Sequence, residues 1–154
     1  MVPVIFRWTL AAILIAGVWS GSLFSQNSGD ALLGRWLTEK AQAEFEFFRV
    51  GSEYRARMKP LRKPDLRDTK NRVDSLKGRS LNGATTIGGL IFNPENGRWQ
   101  GGWVYNPEDG RTYNCTCFLK DNGARLHFRG FLGVSLLGGS QTWTRPDGDG
   151  ETGR

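Results

Sequence analysis

The chain is poor in the residues from which most active sites are assembled. Among its 154 residues there is one histidine, His127, and there are two cysteines, Cys115 and Cys117. A phosphate-cradling P-loop, a G-x-S-x-G nucleophile turn and an H-E-x-x-H zinc helix are all missing. A lone histidine with no partnered acid or nucleophile is a poor basis for acid–base chemistry. The composition therefore points away from an enzyme and assigns no catalytic residue, no metal ligand and no cofactor. The two cysteines stand at i and i+2. In a strand they project side by side from one face, which is poor geometry for a disulfide, so they read as two small buried residues rather than a redox or metal pair.

Long apolar runs are scarce too. One uncharged run, Leu10–Trp19, follows Arg7 and precedes the small residues Ser20, Gly21, Ser22 and Ser25. It is short for a membrane span, which needs about 20 apolar residues. Residues 1–25 read as a secretory signal peptide, with a retained N-terminal anchor as the alternative. The expected location is periplasmic or secreted, with membrane contact only through this segment if it is uncleaved. Residues 30–146 are then the folded domain, and residues 147–154 a flexible tail.

What is abundant is period-two alternation. In "EYRARMK", Tyr54, Ala56 and Met58 face one way and Glu53, Arg55, Arg57 and Lys59 the other. "AEFEFF", "RTYNCTCFLK" and "RLHFRGF" behave alike, which is the signature of half-buried strands. Eight strands are expected, at 34–39, 42–49, 53–59, 84–92, 98–105, 111–119, 124–132 and 140–145. Two near-identical hexapeptides, "NPENGR" at Asn93–Arg98 and "NPEDGR" at Asn106–Arg111, separate three of them. Pro presets φ, Asx side chains bond their own backbone and Gly admits positive φ, so both read as hairpin turns. A calcium role for Glu95, Glu108 and Asp109 lacks the oxygen ligand set that calcium prefers. Eight meandering strands with one apolar face leave two exposed edges unless the sheet closes. The predicted fold is all-β, an eight-stranded antiparallel barrel, with a two-sheet sandwich as the alternative. A barrel of eight is either filled by side chains or holds one small ligand.

One connection breaks the meander. Lys59–Gly83 joins strands 3 and 4 as a long loop or a short helix near Val73–Lys77, and carries eight Lys or Arg against three Asp. Structureless loops of this length are often lids or binding loops. Asp68, Asn71 and Asp74 recur at i,i+3 and, with Arg79, form its polar cluster: either a lid over the barrel mouth, a weak hydrolase pair in Asp68 and Asp74, or local loop fixation. Without interleaved aromatics the basic loop is not expected to bind nucleic acid. A second candidate is "GFLGVSLLGG", whose Leu132, Val134, Leu136 and Leu137 either line a pocket or close a barrel end.

Three stretches together resemble a known family: "GRWLTE" (Gly34–Glu39), "DTKNRVDSLKGRSLNG" (Asp68–Gly83) and "GRWQGGWVYNPEDGRTYNCTCFLKDNGARLHFRGFLGVSLLGGSQTWTR" (Gly97–Arg145). They are similar to DUF2147, small exported bacterial proteins of unknown function. The resemblance implies a lipocalin-like barrel and no transferable activity. It also implies that Gly34 and Trp36 plug one barrel end with Arg145 across the indole. The chain departs from the family pattern in lacking a cysteine pair near Phe48–Tyr54, in Arg72 where Pro is usual, and in Gly139 where Arg is common. Sites built on the disulfide or on that basic position are therefore not carried over.

Two functions from different classes follow. In one, the barrel binds a small apolar or amphipathic ligand lined by Tyr54, Met58, Trp103, Tyr105, Tyr113 and Phe128. In the other, a filled structural barrel binds an envelope partner (protein, peptidoglycan or anionic lipid) through its basic loop. Oligomeric state is not encoded in any of these features.

Overall fold

Alternation becomes architecture directly. A computed structural model of the protein describes residues 28–132 and 138–147. Its strands are β1 (Gly34–Leu37), β2 (Ala43–Val50), β3 (Glu53–Pro60), β4 (Thr85–Asn93), β5 (Arg98–Asn106), β6 (Arg111–Lys120), β7 (Arg125–Phe131) and β8 (Gly138–Thr144). They pair antiparallel in chain order and close into a barrel. The predicted eight-stranded barrel is thus observed, and the sandwich is not. Two bounds differ from the sequence expectation by more than one residue. β1 stops at Leu37 because a 3₁₀ turn with Lys40 at φ 62° begins at Glu39, and β8 begins two residues early, at Gly138.

Both hexapeptides form the same turn. Asn93 Oδ1 accepts from Glu95 N–H at 2.9 Å, and Gly97 N–H returns to Asn93 O at 2.9 Å. Asn106 Oδ1 accepts from Glu108 N–H at 3.0 Å, and Gly110 N–H returns to Asn106 O at 2.9 Å. Among the described residues no group of three His, Cys, Asp or Glu side chains gathers as a cation site.

The turns place the barrel ends. One end carries the β2–β3, β4–β5 and β6–β7 turns with the start of β1. A 3₁₀ turn, Gly29–Leu32, lies across it. Leu32, Trp36 and Trp99 are fully buried there. Trp36 Nε1 donates to Leu32 O at 2.9 Å, Trp99 Nε1 to Gly29 O at 3.1 Å, and the Tyr54 hydroxyl to Asp30 Oδ1 at 2.8 Å. Each indole thus fills the end while its N–H satisfies a carbonyl of the covering turn.

The seam of the barrel is thin. β1 and β8 share one residue pair, Leu37 with Thr144. Beyond a bond from Thr142 N–H to Glu39 Oε1 at 2.7 Å, Arg145 supplies the closure. Its Nη1 donates to Leu33 O at 2.9 Å and Arg35 O at 3.2 Å, its Nη2 to Ala31 O at 3.0 Å, and its Cζ stands 3.7 Å above the Trp36 ring. The fixed guanidinium fork suits three carbonyls and an aromatic face at once. Gly34 makes room for it: φ is +96°, and an added Cβ would lie 3.1 Å from Arg145 Nη1.

Candidate functional site

Among the described residues the opposite end is open, and the cavity is built there. Above the Trp36–Trp99 layer the interior holds a space of about 1220 Å³. Its wall comes from the inward positions of the strands: Ala43 and Phe45 of β2, Met58 of β3, Val104 of β5, Phe128 of β7 and Trp143 of β8. Trp143 lies between two parallel rings, with centroids 4.8 Å from Phe45 and 4.5 Å from Phe128. Stacked aromatics give a rigid apolar wall. The barrel is therefore solid in its closed half and open in the other.

The wall carries no charge and its polar atoms are already engaged. Trp143 Nε1 donates to Gln141 Oε1 at 2.8 Å, and the Tyr113 hydroxyl donates to Asp109. The mouth is polar and basic, ringed by Thr38, Gln42, Arg62, Lys63, Arg67 and Lys70 with Glu108. Leu132, 48% exposed, and Gly138–Gly139 complete the rim. Residues 133–137, with Val134, Leu136 and Leu137, lie outside the described residues, as do residues 1–27 and 148–154.

Of the six residues expected to line a pocket, Met58, Tyr113 and Phe128 do so from the wall and Tyr105 does so from the rim. Tyr54 points inward but lies in the sealed half, 6.2 Å edge-on to Trp99. Trp103 is on the outside, 38% exposed, lying across Gly88, where a Cβ would fall 2.7 Å from the indole. Tyr105 shares that outer face and is buried under the long connection, between the cavity rim and a second, outer groove of about 580 Å³. The cause is one residue. Between Trp99 and Gly102 the β5–β6 register shifts, and Gly101 sits at φ 74°. A bulge moves the strand phase by one, so Gly102 and Val104 face in where Trp103 and Tyr105 would otherwise. Phe45 and Trp143 were not anticipated as lining, although the alternation of "AEFEFF" already pointed Phe45 inward.

The long connection is a strap folded around a buried carboxylate. Its one helical turn is a 3₁₀ turn, Asp74–Leu76. Asp68 is completely buried. Its Oδ2 accepts from Asn71 Nδ2 at 2.7 Å and from Arg79 Nε at 3.2 Å, and its Oδ1 accepts from the Tyr105 hydroxyl. Its backbone bonds the other arm: Asp68 N–H to Arg79 O at 3.0 Å and Gly78 N–H to Asp68 O at 2.8 Å. Leu81, fully buried, and the Lys70 Nζ bond to Glu108 O at 2.6 Å hold the strap to the barrel. The strap meets the β5–β6 turn so closely that a Cβ on Gly110 would fall 1.9 Å from Lys70 O. Asp74 is exposed and takes no part in the Asp68 cluster. Asp68, Asn71 and Arg79 are thus brought together, with Tyr105 as a fourth member from a distant strand, and the carboxylate faces these donors.

Burial, and then the bond to Asp68, push the Tyr105 hydroxyl up from 10.0 to about 12. The folded state then keeps its proton to a higher pH than the unfolded chain. That contribution to stability is complete below pH 10 and is lost as pH rises to about 12. Tyr105→Phe is expected to reduce the alkaline slope of stability and to cost about 1 kcal/mol at neutral pH. Urea titrations on both sides of this window measure both effects.

Among the described residues, neither the histidine nor the thiols reach the cavity. His127 lies on the outer face 4.8 Å from the Phe118 ring, and its Nδ1 has no hydrogen-bond partner. Burial and the nearby Lys120, Arg129 and Arg98 hold it below the usual histidine range. Both thiols are buried; burial pushes Cys115 up to about 12 and Cys117 well above the ordinary thiol value. Such thiols are inert at neutral pH.

Comparison with known proteins agrees with the barrel. The family model DUF2147, described as an uncharacterized protein conserved in bacteria, matches residues 34–145. A solved structure from the human pathogen Helicobacter pylori, described as belonging to the lipocalin family, superposes with a TM-score of 0.67 at 25% identity, covering 76% of this chain and 84% of that one. No curated protein matches the chain at a significant level.

Proposed function

The chain belongs to the bacterial family DUF2147, and from that premise we propose that it is a binding protein that carries one small apolar or amphipathic molecule in the open half of its barrel. The observation that carries the reading is the cavity of about 1220 Å³, walled by Phe45, Met58, Val104, Phe128 and Trp143 and rimmed by polar groups. Ligand sites are concave, mostly apolar and furnished with a few polar groups at defined places. The lipocalin description of the Helicobacter pylori neighbour supports the same class of function. The reading includes export to the periplasm or beyond, as residues 1–25 suggest, and involves no chemical step.

Two measurements test it. Native mass spectrometry of protein purified from its own host is expected to show a retained small mass. A fluorescent lipid probe is expected to bind the emptied barrel, and Met58→Trp, which puts an indole into the cavity, to weaken it about tenfold or more, the scale of a lost buried apolar contact. A barrel that is always empty and ignores the probe refutes a carrier.

A further inference from the structure

The polarity of the cavity is graded from floor to mouth, and the mouth is predominantly basic. The wall offers a ligand no charged side chain, and the indole N–H of Trp143 and the Tyr113 hydroxyl are already bonded within the protein. A charged group carried into that wall would lose its water with nothing to replace it. At the rim, by contrast, Arg62, Lys63, Arg67 and Lys70 all come from the strap, and Glu108 is the one acid among the described residues lining the cavity. Arg62 and Lys70 are held in place by backbone carbonyls, at 2.9 Å from Lys40 O and 2.6 Å from Glu108 O. Lys63 and Arg67 are exposed and form no ion pair among the described residues. The strap that presents them is anchored through Asp68, so the bases sit beside the mouth without a closing motion.

Resting on the carrier reading above, we propose that the occupant is an amphiphile with an anionic head. Its tail lies against the Phe45–Trp143–Phe128 stack, and its carboxylate or phosphate stays at the mouth between Lys63 and Arg67. The strap is the head-group site; the strands supply only the tail site. Charge at the rim then sets which amphiphile is taken, and the wall sets how tightly any chain is held.

Three probes of equal tail separate the two layers of the argument: lauric acid, lauryl alcohol and lauryltrimethylammonium, each titrated by calorimetry into the delipidated protein below its micelle threshold. The acid is expected to bind about tenfold more tightly than the alcohol, the scale of a charge-assisted contact, and the cation most weakly. Added salt should erode the acid-to-alcohol ratio, because rim charges are screened. In Lys63→Glu/Arg67→Glu the ratio should fall to one or below, with an unchanged melting temperature showing that the fold is intact. Equal binding of all three probes overturns the anionic head and leaves the carrier standing. Binding of none overturns the carrier itself, and this inference with it.

Discussion

Trp36→Ala is expected to unfold the protein or nearly so. The indole is fully buried, its Nε1 is bonded to Leu32 O, and its ring is the platform for Arg145. Truncating a buried Trp costs about 3–5 kcal/mol. Here the loss extends beyond the cavity it leaves. β1 and β8 share a single residue pair, so the seam depends on Arg145 bridging the carbonyls of Ala31, Leu33 and Arg35. Without the ring beneath it, that guanidinium has three carbonyls but no face to rest on, and the turn Gly29–Leu32 loses one of the bonds that fasten it over the barrel end. A domain with about 5–15 kcal/mol in total cannot absorb such a change easily. Thermal unfolding followed by circular dichroism reads the effect. A variant that melts where the parent does would show that the indole is not the plug and that the seam closes by other means.

The same residues show what the sequence made legible. Strands, turns and the closure of the barrel follow from local rules. Alternation assigns faces, and Asn93 and Asn106 fold their own backbones into turns. The wall of the cavity is legible only where alternation runs unbroken: Met58, Tyr113 and Phe128 follow it. Trp103 and Tyr105 do not, because the extra residue at Gly101 reverses the phase of β5, and glycine content alone does not say which of Gly101 and Gly102 is the bulge. Tyr54 shows a different limit. Alternation gives the face of a residue but not its height along the barrel, and the height separates the packed half from the open one. The strap cluster shows a third. Asn71 reaches Asp68 over three residues, as the spacing suggested, but Arg79 comes from eleven residues away and Tyr105 from thirty-seven. Contacts of that range depend on the closed barrel and leave no periodic trace, while Asp74, at the suggestive spacing, faces water.

That long-range cluster carries the second large expectation. Asp68→Ala removes the one acceptor that Tyr105, Asn71 and Arg79 share. Arg79 is 31% exposed in its side chain and can turn to water. Tyr105 and Asn71 are buried, and each is left with an unmet donor at about 1–3 kcal/mol. The expected loss is therefore about 3 kcal/mol, nearer the lower end of what breaking a fully buried ion pair costs. Its location distinguishes it from the Trp36 variant. The remaining fastenings of the strap are Leu81, a few backbone bonds and the exposed contacts of Arg62 with Lys40 O and Lys70 with Glu108 O, so the segment between β3 and β4 should open before the barrel does. Hydrogen exchange is expected to speed up across residues 61–84 and to leave β5–β7 protected, and trypsin should cut the folded protein after Arg67, Lys70 or Arg72. Opening the strap also carries Lys63 and Arg67 away from the mouth, so the preference for an acidic head should weaken along with protection. If exchange in the strap stays at the parent rate, the buried carboxylate is not its anchor, and the fixed rim on which the head-group site depends has no support.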